Sequence, residues 1–177
     1  PAIDTPEVLE FVARRANESA HVRVLPMAAL TTGREGREMT ELGFLLDAGA
    51  VAFTDCDHVV ANTKVFARAL TYARSLGALV ISHPQEPILS AGAAATSGAL
   101  AALKGLPAVS PMAERMGLDR DIDLVEMTGA SYHADPPVRC RPCGGRAIMA
   151  LTSRPEPPFI TSRSPTKTPM STVPFSR

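Results

Sequence analysis

The densest group of chemically capable side chains is Asp55-Cys56-Asp57-His58, which directly follows the apolar run AVAFT. Carboxylates, a thiol and an imidazole are the ligands that transition metals take in proteins. An Asp after a strand is also a common turn former, and no second cluster with ligand spacing follows nearby. The tetrapeptide therefore predicts either part of a metal site or an ordinary turn, and the residues alone leave both interpretations open.

Two histidines belong to other apolar runs, His83 directly after ALVIS and His133 inside ASYHA. His83 would face the mouth of a sheet, where it is either a functional group or a hydrogen-bonded structural histidine. Alternation along the strand places His133 on the opposite face from its two neighbours, and packing against a neighbouring element is its simpler interpretation. Cys140 and Cys143 form a single CxxC, which is a weak signal for zinc or redox chemistry without a second pair.

Helices and strands alternate along the chain, and these elements must position the candidate residues. Thr5-Pro6 and Ser110-Pro111 are typical helix starts, with a hydroxyl N-cap before proline, and the apolar spacing that follows Thr5 is helical. Strands that alternate with helices predict right-handed βαβ units and a parallel sheet, with functional residues at the strand C-termini, here 26–32, 55–58, 83–86 and 133–135. The predicted helices are 6 to about 18, 40–47, 63–75, 93–104 and 111–128, and the predicted strands are 21–27, 50–54, 78–82 and 130–134.

The composition changes abruptly after Asp135. The 177 residues have a formal net charge of zero, but residues 1–135 hold 17 acidic and 11 basic side chains, whereas residues 136–177 hold one acidic and seven basic ones. The second part also contains nine of the 16 prolines. We therefore expect one α/β domain over 1–135 and a basic, Pro/Ser-rich and poorly ordered tail over 136–177.

The sequence predicts a cytoplasmic location. The start PAIDTPEVLEF lacks the basic and apolar segments of a signal peptide. The longest uncharged run, 87–103, is short and weakly apolar for a membrane span. Three cysteines favour a reducing compartment. We expect no membrane partner and no nucleic-acid partner for the domain.

Three stretches of residues 1–135 resemble dihydroorotases, which are cyclic-amide hydrolases of the amidohydrolase superfamily. The stretches are LPMAALTTGREGREMTELGFLLDAGAVAFTD, ALTYARSLGALVISHPQEPILS and GLPAVSPMAERMGLDRDIDLVEMTGASYH. The resemblance implies a TIM-type (β/α)₈ barrel, of which this chain would supply about strands three to six. It also implies zinc at the strand C-termini and dihydroorotate, an intermediate of pyrimidine biosynthesis, as the small-molecule substrate.

The ligand positions of the family carry over unevenly. His83 matches the histidine ligand of the strand-five motif. Asp55 matches the first of two consecutive aspartates after "FT", but Cys56 stands at the second, which is the ligand, and Asp57 lies one residue further on. In the strand-six motif His133 matches the first histidine, and Pro136 stands at the ligand position. The carried-over metal residues are therefore His83 with doubtful contributions from Cys56, Asp55 and Asp57, and no catalytic residue is assigned.

These departures lead to two hypotheses of function. The first is a fragment of a dihydroorotase-like enzyme that is itself inactive and holds zinc poorly, because a lone histidine does not build the open zinc site that activates water. The second is a non-catalytic dihydroorotase-like partner of aspartate carbamoyltransferase. For the tail, one hypothesis is out-of-frame translation from about residue 136, and the other is a genuine basic segment that binds an acidic partner or nucleic acid.

Overall fold

Parallel strand pairing organises residues 1–135, which are the part of the chain that this computed structural model describes. The expectations for residues 136–177, including the CxxC at Cys140 and Cys143, fall outside the described residues. The helices are α1 Pro6–Ser19, α2 Leu42–Asp47, α3 Thr63–Ser75, α4 Pro87–Ser90, α5 Ala99–Leu103 and α6 Met112–Thr128. The strands are β1 Phe53–Thr54, β2 Leu79–Ser82, β3 Ala95–Thr96, β4 Ala108–Val109 and β5 Ser131–Ala134.

The main sheet has the order β1-β2-β5, and both pairings are parallel. Phe53 lies opposite Val80, and Ile81 lies opposite His133. A further parallel bridge joins Ala28 to Phe53 at the outer side of β1. The predicted parallel sheet is confirmed, and the C-terminal ends of β1, β2 and β5 therefore lie along one edge.

The hydrophobic core lies between this sheet and the helices α3 and α6. Phe53 and Val80 of the sheet are fully buried, together with Phe66 and Leu70 of α3. Helix α3 begins where the sequence spacing predicts. The side chain of Asn62 caps it by accepting hydrogen bonds from the backbone N–H groups of Lys64 and Val65, at 3.1 and 3.3 Å. The apolar periodicity of this helix was sufficient to predict its bounds.

The predicted strand over 21–27 is wrong. Only Ala28 bridges to β1. Three backbone bonds hold the end of the segment there, from Val51 N to the Pro26 carbonyl and from Ala28 N to the Ala52 carbonyl, both at 3.0 Å, and from Thr54 N to the Ala28 carbonyl at 2.8 Å. Val22 is 74% exposed. The β-branched residues are compatible with a strand, but within 21–27 only the Pro26 carbonyl takes part in a backbone bond to a neighbouring segment, so no ladder forms.

The predicted helix over 93–104 is wrong in its first half. Ala95–Thr96 pairs in parallel with Ala108–Val109, and the helix is confined to Ala99–Leu103. Gly98, with an extended backbone, precedes that helix. Alanine-rich sequence favours helix, but the pairing with β4 and the glycine override this propensity locally.

The observed architecture is mixed α/β with parallel strands, as an open part of a larger α/β fold would be. The (β/α)₈ barrel itself stays a prediction. Among residues 1–135, no helix combines the length and the apolar character that a bilayer crossing requires.

Candidate functional site

Asp55 lies at the C-terminal end of β1 and is only 4% exposed. Its Oδ1 accepts hydrogen bonds from the backbone N–H groups of Leu30 and Thr31 at 2.9 and 3.0 Å, and its Oδ2 accepts from the Thr31 hydroxyl at 2.5 Å. Burial raises the pKa of the Asp55 carboxyl, and the hydrogen bonds from Thr31 and Leu30 oppose that rise. The side chain therefore joins β1 to the loop at residues 30–31, and both of its oxygens are engaged within the protein.

The three residues after Asp55 project towards solvent. Cys56 is exposed and has a left-handed backbone with φ of 56°. The Asp57 carboxylate is 80% exposed and lies 3.7 Å from Arg34 Nη1 and 3.8 Å from His58 Nε2. Exposed pairs at such distances contribute little free energy. This segment is a solvated turn whose side chains are accessible.

His83 follows β2 and is half-buried at the same edge of the sheet. The N-terminal part of α6 packs against the segment that His83 begins, because Glu86 N donates to the Ala113 carbonyl at 2.8 Å. Glu114, the next residue of α6, has a buried Oε1 without a hydrogen-bond partner. Burial raises the pKa of Glu114, and the charge of His83 lowers it. No sequence motif marks Glu114, because its burial depends on how α6 packs against the sheet edge.

His133 lies in β5 with its side chain exposed, while Tyr132 and Ala134 are buried on the other face. The alternation expected from the sequence is confirmed, but the packed position expected for His133 is wrong.

A buried polar network connects α6 to the sheet behind this edge. The Oδ2 of Asp121 accepts from the Ser82 hydroxyl at 2.8 Å and from the Tyr132 hydroxyl at 2.9 Å, and its Oδ1 accepts from Arg120 Nε and Nη2 at 2.9 and 2.6 Å. Asp121 is fully buried. Arg120 also donates to the Val60 carbonyl at 3.1 Å. The sequence does carry a signal for this network, because Asp121 is a charged residue at helical spacing with the buried apolar residues of α6.

The described residues do not by themselves fit a zinc site. Within residues 1–135, no three His, Cys, Asp or Glu side chains come close enough together to hold a metal ion. Asp55 is engaged by backbone and Thr31, Asp57 faces solvent, and Cys56 and His83 belong to different strand ends. The role of His83, Cys56, Asp55 and Asp57 as ligands remains a prediction from resemblance.

Comparison with known proteins identifies the family. A family model described as dihydro-orotase-like matches residues 1–135. The chain belongs to this family. The matched range ends where the composition changes, at Asp135.

Curated relatives of this dihydroorotase-like chain come from several bacteria. It is 42% identical to a dihydroorotase of Syntrophobacter fumaroxidans over 133 residues. The matched stretch covers 75% of this chain and 30% of that protein. It is 40% identical over 133 residues to a dihydroorotase-like protein of Pseudomonas putida, with 75% and 31% covered. A dihydroorotase of Brevibacillus brevis is 34% identical over 163 residues, or 89% of this chain and 38% of that protein.

The dihydroorotase-like chain thus spans about a third of the length of the curated relatives that it matches. Its recognition as dihydroorotase-like is confirmed over the range predicted from the sequence.

Proposed function

We propose that the chain is part of a dihydroorotase-like amidohydrolase that hydrolyses the cyclic amide of dihydroorotate in pyrimidine biosynthesis, and that residues 1–177 alone do not catalyse this reaction. Family membership over residues 1–135 supports the reaction class. The parallel sheet supports the location of the site, because Asp55 and His83 lie at the strand edge where barrel enzymes place their chemistry.

One observation carries the proposed inactivity, namely the residue at position 56. The family resemblance puts a carboxylate ligand there, and this chain has Cys56, which is exposed at the end of β1. The neighbouring Asp55 carboxylate does not replace it, because backbone N–H groups and Thr31 use both of its oxygens. Of the carried-over ligands, His83 alone stands unchanged.

The direct test is dihydroorotate turnover by the purified 177-residue chain with added zinc. The dihydroorotase of Syntrophobacter fumaroxidans serves as the positive control. We expect no turnover above the buffer blank. Turnover that scales with the concentration of the chain would overturn the proposed inactivity.

A chimera separates the effect of position 56 from that of the missing remainder of the fold. Residues 1–135 replace the matching segment of the Syntrophobacter enzyme, with the junction after Asp135 so that the enzyme supplies all later residues. We expect the Cys56 chimera to turn over at least tenfold more slowly than its Cys56→Asp variant. Equal rates in the two folded chimeras contradict the importance that we give to position 56.

A second function follows from the same residue. We propose as the alternative that the parent protein is a non-catalytic partner of aspartate carbamoyltransferase, because Cys56 removes a ligand from a region that otherwise matches the family well. The test is co-elution of the full-length parent with aspartate carbamoyltransferase of the same source in gel filtration. Separate elution, together with dihydroorotate turnover by the full-length parent, rejects this alternative in favour of the enzyme.

We propose that residues 136–177 are a separate segment. They are either the product of out-of-frame translation or a genuine basic tail. The change from 17 acidic and 11 basic side chains before the boundary to one and seven after it supports a separate segment, whereas the Brevibacillus match, which covers 89% of this chain, extends past residue 135. The DNA sequence tests the first hypothesis. If the tail is out of frame, another reading frame of the same DNA must continue the family sequence after Asp135. Salt-sensitive retention on a polyanion column, lost when 136–177 are deleted, is the result expected for the second.

A further inference from the structure

Arg120 of α6 contacts the loop that follows β1, residues 55–62. Its Nη1 donates to the Val60 carbonyl at 3.1 Å, although the two residues lie 60 positions apart in the chain. The same guanidinium donates to Asp121 Oδ1 through Nε and Nη2, at 2.9 and 2.6 Å. The planar fork of an arginine can serve both partners at once, and the carboxylate that holds it is fully buried. Arg120 therefore joins α6 to this loop.

The Asp121 carboxylate connects Arg120 to the other two strands of the sheet. Its Oδ2 accepts from the Ser82 hydroxyl of β2 at 2.8 Å and from the Tyr132 hydroxyl of β5 at 2.9 Å. The guanidinium also lies over the Phe66 ring of α3, 5.6 Å from the centroid. The donor that Arg120 offers to the loop is thus held by the core of the domain rather than by the loop itself.

Val60 packs against the loop that precedes β1 along the chain. It is 6% exposed, and a Cβ placed on Gly36 would lie 3.3 Å from its Cα. Gly36 has a left-handed backbone with φ of 69°, and its N–H donates to the Thr31 hydroxyl at 2.9 Å. That hydroxyl donates in turn to the Asp55 carboxylate. A chain of direct contacts thus connects Arg120 to the Asp55 carboxylate through these residues.

Residues 56–58 lie between two anchored points and are exposed. The Asp55 side chain fixes the start of the loop, and the Val60 carbonyl fixes a point five residues later. Between them, His58 N donates to the Asp55 carbonyl at 3.1 Å. A short segment with both ends fixed has few conformations open to it. The contact at Val60 therefore limits where position 56 can lie.

We propose that Arg120 is a positioning residue for residues 56–59, and that it acts through the Val60 carbonyl to hold position 56 at the carboxyl edge of the sheet. The importance of position 56 as a ligand position rests on the proposed function. The positioning itself rests only on the hydrogen bonds of Arg120 and on the packing of Val60 against Gly36. Loss of the donor should loosen this loop more than it loosens the helices and the sheet.

The test is backbone amide hydrogen exchange of the ¹⁵N-labelled 177-residue chain, followed by nuclear magnetic resonance without metal or substrate. The variant Arg120→Lys keeps a positive charge beside Asp121 but lacks the fork that also reaches Val60. The matched control is Arg115→Lys, the same substitution at an exposed arginine of α6 whose Nε lies 3.5 Å from Asp119 Oδ2. Circular dichroism establishes whether each variant is folded.

Two amides report on the loop and its contact. Gly36 N–H donates to the Thr31 hydroxyl, and His58 N–H donates within the loop. The slowest amides of α3 report global unfolding in the same spectra. In Arg120→Lys we expect both reporting amides to exchange about tenfold faster relative to the α3 amides, because a hydrogen bond from a charged donor is lost. The wild type and Arg115→Lys should have equal ratios.

An unchanged ratio in folded Arg120→Lys overturns the proposal, because a purely stabilising role changes the loop and the α3 amides together. If Arg120→Lys is not folded, the wild type decides through the side-chain nitrogens of Arg120. Nη1 and Nη2 have different partners, so we expect two resolved signals with slow rotation. A single averaged Nη signal shows a freely rotating guanidinium and overturns the proposal. Neither readout involves hydrolysis, so failure of the proposed function leaves the result unaffected.

Discussion

Replacement of Asp121 by asparagine tests whether the buried network behind the sheet edge stabilises this fold. The carboxylate receives four short contacts, two from Arg120 and one each from the hydroxyls of Ser82 and Tyr132. Burial and the Asp121 charge raise the pKa of Tyr132, so its hydroxyl stays protonated and donates. Asparagine keeps one acceptor oxygen and puts two N–H donors where donors already point.

The expected loss is about 3 kcal/mol in the free energy of unfolding. Removing one partner of a buried ion pair costs about 3–5 kcal/mol. The lower end applies because the Arg120 side chain is 22% exposed, and water therefore solvates part of the charge that is left behind. Arg120 also keeps its bond to the Val60 carbonyl and its position over the Phe66 ring, 5.6 Å from the centroid.

Urea unfolding followed by circular dichroism measures this loss, and for a domain of this size it corresponds to a fall in Tm of about 10 °C. The matched control is Asp123→Asn, which neutralises an exposed aspartate on the same helix and should change the free energy by less than about 0.5 kcal/mol. Tyr132→Phe should cost about 1 kcal/mol in the wild type and less in Asp121→Asn, because its acceptor is then altered. A difference below about 0.5 kcal/mol between the Asp121 and Asp123 variants would refute the reasoning.

Three further predictions concern the same edge of the sheet. Gly117→Ala should lower the free energy of unfolding by about 1–3 kcal/mol, measured in urea, because its Cβ would lie 2.4 Å from the Gln85 backbone N. The control Gly98→Ala should not clash, because open space surrounds its Cβ. Burial raises the pKa of Asp55 above 3.8, so the folded chain binds a proton that the unfolded chain releases. Stability relative to Asp55→Asn should therefore fall as pH rises through the window above 3.8, and a rise contradicts it. Cys56→Asp should change the free energy of unfolding by less than about 0.5 kcal/mol, because the side chain is exposed and aspartate tolerates a left-handed backbone better than cysteine. A loss above about 1 kcal/mol would contradict this expectation.

Sequence patterns predicted the elements that have their own periodicity or end signals. Helix α3 has the predicted bounds, and helix α6 begins one residue after its predicted start at Pro111. The failures fall where pairing decides the conformation. Residues 21–27 have a strand composition, but only the Pro26 carbonyl bonds to a neighbouring segment, and Ala95–Thr96 has a helical composition but pairs with β4. Local propensity cannot report the presence or absence of a distant partner.

The candidate site shows the same limit at the level of single side chains. By residue type alone, Asp55, Cys56 and Asp57 are all possible metal ligands. The structure distinguishes them by burial, because Asp55 is enclosed and bonded to Leu30 and Thr31, while Cys56 and the Asp57 carboxylate are exposed. This difference depends on the spatial position of Leu30 and Thr31, which lie 25 and 24 residues before Asp55 in the chain.

Asp55 and Cys56, although consecutive, therefore differ in what they contribute to the protein. Asp55 is held by contacts that the fold itself requires, so its replacement should damage the sheet edge whether or not any metal is present. The backbone N of Cys56 donates a hydrogen bond to the Thr54 hydroxyl at 3.0 Å, and the Cys56 side chain is exposed. A change from carboxylate to thiol there can alter the chemistry of the edge without a cost to the fold. That independence explains how a chain can match its family over residues 1–135 and still differ at a position where the family resemblance implies a ligand.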